Sequence, residues 1–238
     1  MGRASIERPS GKLVWLHAAS VGEAQSAMIL TGTLLRRFRD VNVLLTTGTL
    51  TSARLLEKRL PERAVHQFYP LDHPEWVQRF LDHWHPDAAL WLESELWPNM
   101  LMELQARRIP AALVNARLSR ASFKKWKKAE KSASKLLATF SLVLAQTDSD
   151  LQAYAELGAA NAIVTDNLKY SAEILPADRA ALQALEKQTG NRPRWLFAST
   201  HAGEEEMACR IHNILAEDIP DLLTIIVPRH PERGNAIL

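Results

Sequence analysis

The chain has 238 residues, 47% of them hydrophobic and 24% charged, with 29 basic against 27 acidic side chains. That balance excludes collagen-like, disordered and disulfide-scaffold classes, and a net charge of +2 does not make nucleic acid the main partner. A lone Cys209 excludes an internal disulfide and fits a reducing compartment. No stretch approaches the roughly 18–20 uninterrupted apolar residues of a membrane span. The opening MGRASIERPSGK lacks the apolar middle segment of a signal peptide. The chain as given therefore reads as soluble and cytoplasmic, with a length between that of one domain and two.

In chain order, short apolar runs alternate with amphipathic segments. Residues 12–17 (KLVWLH) read as a strand, and 23–38 as a helix with Ala24, Ala27, Met28, Leu34, Leu35 and Phe38 at helical spacing. A strand at 41–47 precedes a helix at 49–60 that Pro61 ends. A strand at 64–69 leads to a helix at 74–84 with proline in its first turn. The strand at 87–92 is followed by a helix at 97–108, and the strand at 110–114 by a lysine-rich helix at 122–139. A strand at 142–145, a helix at 149–157 stopped by Gly158, and a strand at 162–165 close the series. Apolar strands alternating with helices predict a doubly wound parallel sheet covered on both faces. Residues 171–193 turn polar and read as a linker plus a connecting helix. A second α/β unit then starts, with strands at 195–199 and 222–227 around a helix at 203–215. Two strands and one helix do not bury a sheet on both faces, so this second domain reads as incomplete.

In doubly wound sheets ligands bind beyond the carboxyl ends of the strands. The first strand exits into HAASVGE, a small-residue loop opening a helix, where free backbone N–H groups suit an anion. Ser20 and Gly22 permit close backbone approach. Glu23 is either a functional carboxylate or a first-turn acid that favours the helix. The strand at 87–92 exits into ESELWPN. Glu93 and Glu95, at i and i+2, share one face while the chain stays extended. They suit acid–base work, or Glu95 merely helps start the next helix. Asn115 and Arg117 follow the next strand, as binders of hydroxyls or phosphate or as loop caps. Asn167 and Lys169 follow the last strand of the first domain, with a solvated lysine as the plain alternative. In the second domain a strand exits into Pro228 and Arg229, which suit phosphate recognition. Residues 120–135 hold seven basic residues and one acid, with an apolar stripe of Phe123, Trp126, Ala129, Ala133 and Leu137. Such a helix lies on an anionic membrane surface or packs with its lysines in water. The pairs Cys209/His212 and His83/His85 recruit no further ligands at a metal-site spacing. No P-loop, GxGxxG or GxSxG occurs.

The motifs HAASVGEA, LESELWPN, NARLS, NLKY, STHAGEEE and VPRHPER occur in that order. Together they resemble the Kdo transferases, which move 3-deoxy-D-manno-octulosonic acid from CMP-Kdo to lipid A precursors. The resemblance spans nearly all of residues 12–235. It implies a two-domain GT-B glycosyltransferase at the cytoplasmic face of the inner membrane. The N-terminal domain would bind the lipid acceptor, the C-terminal domain CMP-Kdo, and transfer would invert the anomeric centre without metal or cofactor. By match, Glu23 is the catalytic base, Glu93 and Lys169 stabilise the transition state, and Pro228 and Arg229 begin the CMP site. Ser20, Gly22, Glu95, Asn115, Arg117 and Asn167 are the accompanying substrate-binding candidates. The expected domains are 1–170 on the acceptor side, 171–193 as linker and connecting helix, and 194–238 as the start of the donor domain.

The sequence also departs from the pattern. It has Thr49-Leu50-Thr51-Ser52 where the family shows threonine-proline-threonine-glycine, and Asp166 where the family has a glycine suited to positive φ. It begins without the family's apolar anchor and ends before the remaining donor-binding loops, so it reads as truncated. The alternatives are an inactive fragment, or an acceptor-binding domain without transfer. A different GT-B enzyme, such as a nucleotide-sugar transferase or epimerase, is the third reading, against which the ordered motifs argue.

Overall fold

Buried apolar strands need cover on both faces, and this chain supplies it with a helix between successive strands. The computed structural model describes residues 2–57, 59–171 and 177–237, in two compact units, Met1–Glu173 and Ile174–Leu238. The first unit runs β1 (Lys12–His17), α1 (Val21–Arg37), β2 (Val41–Thr47), α2 (Leu50–Glu57), β3 (Ala64–Phe68), α3 (Pro74–Trp84) and β4 (Ala88–Leu92). It continues through α4 (Pro98–Ala106), β5 (Ala111–Ala116), α5 (Arg120–Lys128), α6 (Glu130–Leu137), β6 (Phe140–Ala145), α7 (Asp148–Glu156) and β7 (Ala162–Val164). A short 3-10 turn, Leu168–Ser171, follows. The second unit contains α8 (Arg179–Thr189), β8 (Arg194–Thr200), α9 (Glu204–Asp218) and β9 (Leu223–Pro228). It closes with a 3-10 turn, Pro231–Arg233, and a single helical turn, α10 (Gly234–Ile237).

In the first unit the strands form one sheet in the order β3-β2-β1-β4-β5-β6-β7, every pair parallel. The order reverses between β1 and β4. One face of the sheet buries Trp15, Trp91 and Leu44 against Phe80, Leu81 and Trp84 of α3, and against Met100, Leu101 and Leu104 of α4. The other buries Leu16, Val43 and Leu45 against Ala24 and Ala27 of α1 and Leu56 of α2. Each large apolar side chain withdrawn fully from water contributes about 1.5–3 kcal/mol, so these two layers dominate the fold.

The lysine-rich segment, expected as one helix over 122–139, is two helices broken at Ala129 (φ −118°, ψ 39°). The Ala129 N–H turns back to Trp126 O, three residues away, and ends α5 tightly. Lys127 spans the break, pairing with Glu130 at 3.2 Å and donating to the Glu156 carbonyl at the end of α7. Both halves still reach the same core, through Phe123 and Trp126 and through Ala133, Leu136 and Leu137. The apolar spacing therefore runs on unbroken and conceals the bend. Gly158, at φ 96°, ends α7 as expected, and a Cβ there would fall 2.5 Å from Ser134 Oγ. The helix expected at 49–60 is observed over Leu50–Glu57, and Lys58 lies outside the described residues. Residues 172–176 of the expected linker at 171–193 also lie outside them. In the second unit β8 and β9 pair in parallel as a two-stranded sheet, leaving Leu196 and Val227 exposed. No helix among the described residues is long and apolar enough to cross a membrane.

The start of α4 is held from outside the helix. Asp72, in the loop after β3, accepts from the backbone N–H groups of Asn99 (3.0 Å) and Met100 (2.9 Å) and does the work of an N-cap. Asp72→Ala orphans both donors. It should lower the unfolding free energy by about 1–2 kcal/mol in denaturant melts. An unchanged midpoint would mean that water replaces the cap at no cost.

Candidate functional site

The reversal between β1 and β4 sends their exits apart at the carboxyl edge of the sheet, and both exits carry acids. After β1, Ser20 caps α1, its Oγ accepting the Glu23 N–H at 3.2 Å. The Glu23 carboxylate reaches back and accepts the Ala19 N–H at 2.8 Å. This is a reciprocal cap in which the acid returns one residue further than in the usual box. It pins the Glu23 side chain, 7% exposed, to the edge of the sheet. The reading of Glu23 as a helix-start acid is observed, and the same contact holds its carboxylate at the carboxyl edge of the sheet.

After β4 the chain does not stay extended. Glu93 adopts φ 59° and the backbone turns, so the expected shared face of Glu93 and Glu95 is absent. Each carboxyl instead lies within electrostatic reach of Glu23. Burial first, then the Glu23 charge, pushes both above the usual carboxylate range. Lys169 and Arg117 offset part of the effect at Glu93, and the nearby Trp97 indole offsets part of it at Glu95. The Trp91 indole N–H donates to the Glu95 carbonyl and fixes the turn. From α7, the Tyr154 hydroxyl lies within donating reach of the carbonyls of Glu93 (3.3 Å) and Arg117 (3.4 Å). Asp150 accepts the Leu118 N–H at 2.8 Å and so holds the loop that carries Arg117, itself exposed.

Lys169 arrives from the far edge of the sheet. Beyond β7 the chain passes Asp166, at φ 60°, and crosses back over the carboxyl ends of β6 and β5. The position of the expected glycine thus does take positive φ, with an aspartate in it. Asn167 Nδ2 donates to Gln146 Oε1 at 3.2 Å, and the Leu168 N–H donates to Asn115 Oδ1 at 2.9 Å. Lys169 Nζ then lies 3.4 Å from where a Cβ on Gly22 would stand, so the glycine leaves room for the ammonium. Glu23, Glu93, Glu95, Lys169, Ser20, Gly22 and Arg117 therefore gather around the β1 and β4 exits. Asn115 is buried, at φ 55°, and Asn167 is partly buried; their side chains hold backbone N–H groups and a neighbouring amide.

Sequence reasoning passed over the layer beneath. His17, the last residue of β1, is fully buried and packs against Tyr69 (ring centroids 4.1 Å) and Trp91 (4.6 Å). Its Nδ1 lies 3.0 Å from Thr46 Oγ1, which also accepts the Trp15 indole N–H. Burial lowers the His17 pKa to about 3, so the ring is neutral. Gln146, Asp150 and Tyr154 were also passed over. Gln146 stands at a strand exit, the position that singled out the other candidates. Among the described residues no group of three or more His, Cys, Asp or Glu side chains is arranged to hold a metal ion.

In the second unit Pro228 ends β9, and the N–H of the exposed Arg229 donates to Thr200 O at 3.0 Å. The neighbouring Arg233 grips Glu205 with two nitrogens, at 2.9 and 3.0 Å. That guanidinium and the Thr200 hydroxyl lower the Glu205 pKa to about 2.

The raised Glu93 carboxyl makes a pH prediction. It holds its proton more tightly folded than unfolded. Its stabilising contribution is complete below the ordinary carboxylate pKa and is lost as pH rises through the raised one. Glu93→Gln stays neutral throughout. It should be more stable than the parent at neutral pH and equal to it near roughly pH 3. Denaturant melts across that range check it, and lower stability of the variant at neutral pH would refute it.

Comparison with known proteins agrees with the motifs. The family described as 3-deoxy-D-manno-octulosonic-acid transferase (kdotransferase) matches residues 1–172. A Rickettsia felis protein named 3-deoxy-D-manno-octulosonic acid transferase is 41% identical over 226 residues, covering 95% of this chain and 48% of that protein. One of the same name from Haemophilus influenzae is 35% identical over 241 residues, covering 99% and 56%. The chain thus spans about half the length of these relatives. Among solved structures, UDP-GlcNAc 2-epimerase from Neisseria meningitidis has a TM-score of 0.61 at 14% identity, covering 95% of this chain and 68% of that one. Phytolacca americana UGT2 has a TM-score of 0.52 at 13% identity, covering 94% and 72%. Those identities carry the GT-B-type fold alone. Sequence and fold together place the chain in the Kdo transferase family of glycosyltransferases.

Proposed function

We propose that this chain carries the acceptor-side machinery of a glycosyltransferase that moves Kdo from CMP-Kdo to a hydroxyl of a lipid A precursor, with inversion and without metal. The observation that carries this reading is the gathering of Glu23, Glu93 and Lys169 at the point where the strand order reverses. The Glu23 carboxylate takes the proton of the acceptor hydroxyl. The hydroxyl oxygen bonds to the anomeric carbon, and the bond from that carbon to the CMP phosphate breaks, CMP leaving with the electron pair. Lys169 and Glu93 stabilise the charge that develops. Ser20, Gly22, Glu95, Asn115, Arg117 and Asn167 shape the acceptor site, and Pro228 and Arg229 begin the CMP site. The domains follow as 1–170 for the acceptor, 171–193 as connection and 194–238 for the donor, working at the cytoplasmic face of the inner membrane. Lys124, Lys125, Lys127 and Lys128 of α5 are exposed, which supports contact with an anionic membrane surface.

The alternative reading is acceptor binding without transfer. A transfer assay with CMP-Kdo and a lipid A precursor separates the two, since bound acceptor with no product is the signature of the second. Where transfer occurs, Glu23→Gln keeps an oxygen for the Ala19 N–H and should lower kcat by about 10²–10⁴-fold. A loss below tenfold would remove Glu23 as the base. Replacing Lys124, Lys125, Lys127 and Lys128 with Gln should weaken binding to anionic liposomes at moderate salt. Unchanged binding would take α5 away from the membrane.

A further inference from the structure

We propose that Gln146 is a positioning residue that holds the 166–169 strap across the carboxyl edge of the sheet, so that Lys169 is presented to Glu93 and to the loop opening α1. The inference deepens the reading of Lys169 and Glu93 as parts of the reaction site, and it rests on that reading for its functional meaning.

The strap runs alongside α1 without burying a residue against it. Its 3-10 turn, Leu168–Ser171, contains no buried residue, so apolar packing does not fix its place. Its anchors are amides. Gln146 is tied to the sheet by its own N–H, which donates to Ala116 O at 3.0 Å. Its side chain works in two directions. Nε2 donates to Asn115 O at 2.9 Å, and Oε1 accepts from Asn167 Nδ2 at 3.2 Å. Asn115 in turn accepts the Leu168 N–H, and Asn167 accepts the Lys169 N–H at 3.0 Å. The exit of β5, the exit of β6 and the strap are thereby linked by three side-chain amides in a row. Asn115 and Asp166 both take positive φ to place these groups. The far end of the ladder is the lysine whose ammonium stands over Gly22 and eases the charge on Glu93.

The role is tested through Glu93 itself, with no substrate required. The charged groups that act on its carboxyl are Glu23, Lys169 and Arg117, and its carbonyl meets the Tyr154 hydroxyl. The chain is labelled with ¹³C at the glutamate carboxyls and titrated by NMR as parent, Gln146→Met, Lys169→Met and the double variant. Gln146→Met should move the Glu93 midpoint upward, in the same direction as Lys169→Met, and should add nothing further in the Lys169→Met background. The Leu168 and Lys169 amides should exchange about tenfold faster, as one lost hydrogen bond allows. Should Gln146→Met fail to fold, Asn167→Ala cuts the same ladder from the strap side and gives the same readout. A Glu93 midpoint moved by Lys169→Met and unmoved by Gln146→Met or Asn167→Ala would overturn the positioning role and leave the site reading intact. A midpoint unmoved by Lys169→Met would overturn both. Failure of the transfer reaction alone would alter none of these titrations.

Discussion

Crossovers between parallel strands are right-handed, and this constraint fixes where the chemistry of the fold can sit. From β1 the chain steps through β2 to β3 with α1 and α2 on one face. It then returns to the other side of β1 for β4, which obliges α3 and the helices after it to lie on the opposite face. The chains leaving β1 and β4 are thus drawn to opposite sides of the sheet, and a crevice opens between neighbouring strands. Glu23 and Glu93 leave those two strands. Their meeting therefore follows from topology, and their separation in sequence is no obstacle to it. Lys169 is different, because it starts beyond the edge strand β7 and has to be brought back by a strap held with amides.

Within the crevice, local structure and electrostatics pull against each other. The back-bond to the Ala19 N–H makes Glu23 part of the helix start and fixes where its carboxylate lies. Two further carboxyls, those of Glu93 and Glu95, are then half-buried within reach of its charge, and both are raised. Burial disfavours their charged forms, and Lys169 and Arg117 offset a part of that at Glu93 alone. A core built for stability alone would not bring three acids to the exits of two neighbouring strands. Clustering of perturbed carboxyls in a crevice is the usual mark of a reaction site.

Much of this was legible in the sequence, and the failures have physical causes. Strands were legible because both faces are buried, which leaves apolar runs such as VNVLLTT and DAALWL with no competing reading. The site residues were legible because small and polar residues at strand exits are unusual after such runs. The bend at Ala129 was hidden, since no proline or glycine marks it and the apolar spacing continues through it. The turn at Glu93 was hidden because positive φ at a glutamate carries no sequence signal. Glu93 and Glu95 consequently read as partners of each other, when the acid that acts on both is Glu23. Gln146 stood at a strand exit too. It drew no notice because an amide before a capping threonine reads as ordinary loop.

The second unit repeats the local device of the first with the opposite electrostatic outcome. Again a strand ends in a small polar loop and a helix opens on acids, with the Glu204 carboxylate accepting the His201 N–H at 2.7 Å. There the next acid, Glu205, is clasped by the Arg233 guanidinium and the Thr200 hydroxyl, and its pKa falls to about 2. A carboxylate so matched is a staple between the start of α9 and the chain beyond β9, and it has no spare basicity to offer a substrate. In the first unit Glu93 has a lysine and an exposed arginine as partial offsets, and no guanidinium fork closes on it. The contrast separates structure from chemistry within one chain. Where the acid is fully matched it holds the fold, and at the reversal of the sheet it is left partly unmatched, as the proposed reaction site requires.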